Sequence, residues 1–359
     1  MKRGILLALV FLLFSTTSLA MGSSFGPELS LNMPTNQLFL LAFGLLIAMM
    51  ISAIFLEKNV SAISTKTGPA IGTALLGLSS SLPLIVFALT AALAGELDIA
   101  INSIIGTNVA NLTLVLGTLA ILKPLNSGKN VAKGIIALII ILLAISLIFF
   151  TVNPFSQSLA QSSTSGRIID HNESFILLGL FVFFILLLQF FSTEHSNYSP
   201  AKEKNTTLAL ILILFFGILV CWFANQSVLA FIKIANIFSI PSFIISSVLV
   251  VIGTSLPEFA IGLVVLSHRE EENIFTNLIT SDIINFVFCL ALISFFVTLH
   301  FNNFILGFQI PFMLLTILVS IKFLHSAPKS ITRKEGFILI ILFALYLFLM
   351  SIGFFIIIP

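Results

Sequence analysis

The sequence predicts an all-α polytopic membrane protein with ten transmembrane helices, arranged as two inverted five-helix repeats. Three observations predict this. Of 359 residues, 58% are hydrophobic and only 8% are charged, whereas a soluble domain carries roughly 25% charged residues. Ten apolar stretches are each long enough for a helical span of roughly 20 residues. A polar pattern in the first half recurs 174 residues later in the second. The composition excludes a soluble enzyme, a disordered chain and a nucleic-acid binder, which would need a basic face. The net charge of +2 says nothing about an anionic partner. Cys221 and Cys289 lie in apolar runs and offer neither a disulfide framework nor metal-ligand spacing.

Residues 1–20 begin Met1-Lys2-Arg3 and end Ser18-Leu19-Ala20 around an apolar middle. That is the layout of a signal peptide, with an uncleaved signal anchor as the alternative. The first five spans are expected at 38–56, 70–94, 99–122, 133–152 and 174–192, forming a first repeat over 38–192. A connecting loop at 193–206 leads to the second repeat over 207–357, with spans at 207–229, 243–266, 274–298, 304–321 and 337–357. Basic residues prefer cytoplasmic loops and test this count independently. With Lys2 and Arg3 inside, 14 of the 16 Lys and Arg fall inside and only Arg167 and Lys233 fall outside. Both mature termini are then expected to face away from the cytoplasm, and the expected location is the bacterial inner membrane. Phe-rich stretches such as Phe181–Phe191 are expected to face lipid, and the Ser-rich stretch Asn153–Glu173 to be an outside loop.

The repeated segments carry the chemistry. The first reads Ser79-Ser80-Ser81-Leu82-Pro83-Leu84 and continues to Gly106-Thr107-Asn108-Val109-Ala110-Asn111. The second reads Gly253-Thr254-Ser255-Leu256-Pro257-Glu258 and continues to Thr280-Ser281-Asp282-Ile283-Ile284-Asn285. Five spans separate the copies, so the second enters the membrane from the opposite side, a common plan of secondary transporters. Pro257 cannot donate a backbone hydrogen bond, and with Gly253, Thr254 and Ser255 before it an unwound stretch is expected. Freed carbonyls and hydroxyls, with Glu258 near mid-membrane, supply oxygen donors suited to hard cations such as Na⁺ and Ca²⁺. Ser281 and Asn285 share one helix face, as do Thr107 and Asn111. Of the 14 acidic residues, only Glu258 and Asp282 are expected deep within spans, and an intramembrane carboxylate is a functional hypothesis by default. Ser80, Ser81 and Thr254 have a simpler reading as hydroxyls bonded to carbonyls one turn back. Asn111 and Asn285 could equally hold helices together.

These segments resemble the calcium/cation antiporter superfamily, of which the sodium/calcium exchangers are the best-known branch. The resemblance rests on Gly253-Thr254-Ser255-Leu256-Pro257-Glu258 and on the paired segments closing at Asn111 and Asn285. It implies a site between spans 2, 3, 7 and 8 where Ca²⁺ and Na⁺ compete, with no cofactor. It implies Glu258 and its first-copy partner as Ca²⁺ ligands, and Ser81, Thr107, Ser255 and Ser281 with neighbouring carbonyls for Na⁺. Asn111 and Asn285 would lie between these sites, and Thr254 and Ser80 beside them.

The sequence departs from that pattern at Leu84, where the first copy should carry a glutamate, and at Asn285, where many members carry an acid. With Glu258 alone a bound Ca²⁺ leaves the site at +1, while Na⁺ or a proton leaves it neutral. Asp282 lies about 60° around the helix from Asn285 and could restore a second carboxylate. Its alternative is a hydrogen-bonded interior acid. Two functions stay open: sodium/calcium or proton/calcium exchange, or a monovalent cation/proton exchanger or transport-inactive paralogue. A membrane enzyme would need a nucleophile with a base or a metal-binding acid pair, and the five histidines lie in loops or at span ends. The expected partners are the lipid bilayer and inorganic cations, with no nucleic acid and no obligate protein partner.

Overall fold

The computed structural model describes residues 34–64, 69–126, 139–145, 167–169, 171–191, 206–239, 250–267, 271–325 and 330–357. The expected signal segment and most of the connecting loop lie outside these residues. Two long helices, α1 (Thr35–Ser64) and α6 (Thr206–Phe238), begin the two halves and pack along each other. Between them come α2 (Pro69–Leu93) and α3 (Leu97–Ala110), which runs through a π-helical turn at Asn111–Val115 into α4 (Leu116–Leu122). Strands β1 (Leu125–Asn126) and β2 (Arg167–Ile169) and helix α5 (His171–Phe191) complete the first half, where 139–145 is also helical.

The second half repeats this order. Helix α7 (Val251–Ser267) is followed by α8 (Glu271–Ile283), a π-helical turn at Ile284–Phe288, α9 (Cys289–Ser294) and β3 (Leu299–Phe301). A third π-helical turn (Ile305–Gln309) opens α10 (Ile310–His325), then β4 (Ser330–Ile331) and α11 (Arg333–Ile357) close the fold. Seven of the described helical segments are long and apolar enough to cross a membrane, and His171–Leu187 is a shorter apolar segment.

The halves interlock by exchange. β1, after α4, pairs antiparallel with β4, before α11; β3, after α9, pairs antiparallel with β2, before α5. Each half thus lends a strand to the last helix of the other. The α4–α11 crossing is close because both sides are glycine: a Cβ on Gly117 would lie 2.8 Å from the Gly336 carbonyl oxygen, and one on Gly336 2.7 Å from that of Gly117. Thr332 and Glu335 form a capping box at the start of α11, with the Thr332 amide donating to Glu335 Oε2 at 2.7 Å. Gly95, at φ 86°, ends α2 in a turn that L side chains rarely adopt.

Several sequence expectations are corrected here. α1 continues to Ser64, beyond the expected end at 56, because Val60 and Ile63 extend the buried stripe of Met49, Ala53 and Leu56. Glu57 and Lys58 are therefore helical. α6 likewise carries Lys233 inside the helix rather than in a loop. The described end of the Asn153–Glu173 loop is ordered as β2 and the first turn of α5. Phe181 and Phe184 are buried, with Phe181 set against Phe288 at 4.8 Å, whereas Val182, Phe183 and Leu186 are exposed. No unwound stretch precedes Pro257: residues 251–267 are continuously helical, as are 69–93 around Pro83. Neighbouring helices enclose both prolines, so each frees one carbonyl, at Gly253 and Ser79 one turn back, without opening the helix.

Candidate functional site

Helices α2, α3, α7 and α8 meet at the centre of the molecule and bring both repeated segments together. Small side chains allow the approach: a Cβ on Gly77 of α2 would lie 2.5 Å from Ile284 and 3.1 Å from Thr280. The polar contacts then follow the repeat. Thr107 and its counterpart Ser281 each meet a hydroxyl on the other copy's proline helix. Thr107 lies 2.8 Å from Thr254, and Ser281 lies 3.1 Å from Ser81. Asn108 and Asp282, which are counterparts of one another, also meet: the Asn108 amide donates to the Asp282 carbonyl at 3.1 Å.

Glu258 ends a directed hydrogen-bond chain. Ser281 Oγ donates to Glu258 Oε1 at 3.1 Å. A hydroxyl has one proton, so Ser81 must donate to Ser281, and the order is Ser81, Ser281, Glu258. Glu258 is only 4% exposed, and its Oε2 is buried with no hydrogen-bond partner among the described residues. Asp282 behaves differently. Its Oδ1 accepts from the Asn111 side-chain amide at 2.9 Å, and its carboxyl group lies close enough to Glu258 to interact with it. Ser80 donates to the Gly77 carbonyl at 3.0 Å, and Thr107 and Thr254 reach the carbonyls of Ser103 and Val250 at 2.7 and 2.9 Å. The one-turn-back bonding therefore holds for these hydroxyls, while Ser81 points across the interface.

Several atoms here have polarity but no partner. Ser255 Oγ, both amide atoms of Asn285, Asn111 Oδ1, Glu258 Oε2 and Asp282 Oδ2 are all buried and unpaired among the described residues. A buried polar group left unsatisfied costs about 1–3 kcal/mol, and most native polar groups avoid this. All of them lie on the two helix pairs that carry the repeat, which makes these helices suited to a ligand that accepts oxygen donors. Each pair has a π-helical turn at the closing Asn, at Asn111–Val115 and at Ile284–Phe288. Such turns inside α-helices are frequent at functional sites.

The sequence missed one residue. Glu57, on the extended end of α1, lines a cavity of about 30 Å³ together with Gly77, Ser80, Glu258, Asn277 and Ser281. The signal for it was the spacing: Glu57 lies four residues after Ala53, one turn along the buried side of α1.

The sodium/calcium exchanger protein family matches residues 36–190 and 208–352. The chain belongs to this family. The two matched stretches coincide with the two halves seen here and contain both polar segments. Among relatives, the sodium/calcium exchanger MaX1 of Methanosarcina acetivorans is 24% identical over 334 residues, covering 82% of this chain and 92% of that one. CaxA of Alkalimonas amylolytica, named as an antiporter, is 28% identical over 227 residues, 60% of this chain and 66% of its own length. The inner membrane protein YrbG of Escherichia coli is 26% identical over 230 residues, 62% of this chain and 67% of that one. Among solved structures, the sodium-calcium exchanger NCX_Mj soaked with 2.5 mM Na⁺ and 0.1 mM Sr²⁺ superposes with a TM-score of 0.60 at 22% identity. That match covers 86% of this chain and 98% of NCX_Mj, and it establishes an exchanger fold. The protein is thus an integral membrane member of a family of transporters.

Proposed function

We propose that the protein is a secondary cation antiporter, exchanging Ca²⁺ for Na⁺ or H⁺ by alternating access at a mid-membrane site centred on Glu258. The observation that carries this reading is the buried, unpaired Oε2 of Glu258 in a cavity that Ser80, Asn277 and Ser281 also line, with Ser255 Oγ, Asn111 Oδ1 and the Asn285 side-chain amide unpaired on the same helix pairs. Hard cations take six or more oxygen ligands, and a carboxylate with hydroxyls, amide oxygens and proline-freed carbonyls is such a set. Ser81, Ser281, Thr107, Thr254 and Ser80 line or brace it. Asp282 serves by holding Asn111. The transport frame is ten crossings in two inverted repeats, with both mature termini outside the cytoplasm. Ion gradients drive the exchange, each net charge moved contributing about 2.3 kcal/mol per 100 mV.

Leu84 favours a second reading. It is 1% exposed and leaves the proline of the first copy without the acid that follows the proline of the second. A site with one carboxylate suits a monovalent ion. Isotope flux in reconstituted vesicles separates the two readings. Uptake of ⁴⁵Ca²⁺ driven by an outward Na⁺ or pH gradient is the expected result. Monovalent flux without ⁴⁵Ca²⁺ uptake would overturn the calcium reading.

A further inference from the structure

We propose that Glu57 is the second carboxylate of the cation site and stands in for the acid missing at Leu84, so that the site takes a divalent cation between Glu57 and Glu258. The inference rests on the antiporter reading above and specifies its substrate class.

Four observations converge. Glu57 and Glu258 line the same cavity, about 30 Å³ in volume, enough for one or two water-sized occupants and so for a cation that has lost most of its shell. Both carboxyl groups have an Oε2 that is buried and unpaired among the described residues. Glu258 is 4% exposed and lines the cavity, with its Oε2 unpaired among the described residues. The two carboxyl groups lie close enough to interact, and a cation between them, or a proton on one of them, relieves the repulsion. α1 packs against both α2 and α7, which places Glu57 opposite the two proline helices rather than toward lipid.

The charge arithmetic then closes. Counting the acids that line the cavity, Ca²⁺ with Glu258 alone is a buried +1 and with Glu57 it is neutral; Asp282 is held by Asn111 and does not line the cavity. Among the described residues no three His, Cys, Asp or Glu converge, so the remaining ligands are neutral. Ser80, Ser281 and Asn277 line the same cavity and supply oxygens of that kind. The cavity's lining residues fall on the later parts of α1 and α7 and the earlier parts of α2 and α8, toward the end of the bundle that the basic residues assign to the cytoplasm.

The test measures ⁴⁵Ca²⁺ binding to the full-length protein in detergent by equilibrium dialysis, with flux in vesicles as a separate readout. In Glu57→Gln, which keeps shape and removes charge, the Ca²⁺ Kd is expected to rise at least tenfold while the Na⁺ concentration that half-displaces a bound cation changes less than threefold. Glu57→Asp, which keeps the charge, is expected to stay within tenfold of wild type. The proposal is overturned if Glu57→Gln binds Ca²⁺ within threefold of wild type, if both variants lose binding equally, or if wild type binds no Ca²⁺ up to 10 mM. The antiporter reading fails separately: wild type that binds Ca²⁺ in a Glu57-dependent way but shows no gradient-driven flux keeps the site and loses the transport.

Discussion

The Asn111 side-chain amide donates to Asp282 Oδ1 at 2.9 Å, joining the closing residue of one repeat to the acid of the other. The contact bridges the two halves at the π-helical turn that begins at Asn111. It settles how Asp282 is held, since one carboxyl oxygen is committed to Asn111, and Asp282 does not line the cavity shared by Glu57 and Glu258. Asn111→Ala leaves a buried acid without its donor and is expected to destabilise the protein by about 1–3 kcal/mol. Asp282→Asn keeps an acceptor for Asn111 and should cost less than about 1 kcal/mol, with Ca²⁺ affinity within threefold of wild type. Unfolding titrations in mixed detergent check the first value, and equilibrium dialysis checks the second. Loss of Ca²⁺ binding in Asp282→Asn would make Asp282 a ligand.

The hydrogen-bond chain from Ser81 through Ser281 to Glu258 makes a graded prediction. Glu258→Gln removes the charge at its end and is expected to lower cation flux at least a hundredfold. Ser281→Ala removes only the donor to Oε1, an interaction worth about 1.5–3 kcal/mol when the acceptor is charged. It should weaken binding tenfold or more without abolishing it. Ser81→Ala lies one step further from the ion and should have the smallest effect of the three. Parallel isotope flux and binding measurements check the order, and a Ser81→Ala loss equal to that of Glu258→Gln would show Ser81 to be a direct ligand.

The order of helices and their polar segments was readable in the sequence because prolines and buried hydroxyls are rare in apolar spans. The pairs Pro83/Pro257, Thr107/Ser281 and Asn111/Asn285 survive at one spacing while the apolar residues around them drift. What was not readable has physical causes. Ending the first span at Leu56 treated a charged residue as the edge of the membrane, whereas Glu57 continues the helix against α2 and α7. An unwound stretch at Pro257 was expected from the lost hydrogen bond and from Gly253, Thr254 and Ser255 before it, but the buried proline sits in a continuous helix. The π-helical turns at Asn111 and Ile284 leave no mark in hydrophobic periodicity, since one extra residue per turn resembles a small drift of the stripe.

Gly117 and Gly336 fix the α4–α11 crossing, and the atoms a side chain would strike are backbone carbonyl oxygens, which cannot rotate away. Gly117→Ala or Gly336→Ala is expected to destabilise the protein by about 1–3 kcal/mol, the usual range for forced overpacking. The double variant should not be additive, because one displacement of α11 relieves both clashes. Thermal unfolding of the purified protein checks this. At Gly179, where a Cβ would meet nothing within 4 Å, alanine should be tolerated.

Leu84 provides the most discriminating substitution, because the two carboxylate positions make opposite demands on it. If Glu57 has taken over the role of the acid missing from the first copy, an acid returned to position 84 is redundant in wild type and useful only when Glu57 is neutral. Leu84 is 1% exposed and one residue past Pro83, as Glu258 is one residue past Pro257. Leu84→Glu alone therefore adds a third acid to a site already neutral with Ca²⁺. It is expected to lower stability by several kcal/mol, the penalty for a buried charge without a partner, and to gain less than threefold in Ca²⁺ affinity. In the Glu57→Gln background the same change restores the charge balance and should recover at least tenfold of the lost affinity. Equilibrium dialysis on the four proteins of this cycle reads the coupling directly. Equal effects of Leu84→Glu in both backgrounds would mean that the two positions act independently and that Glu57 does not share the ion with Glu258.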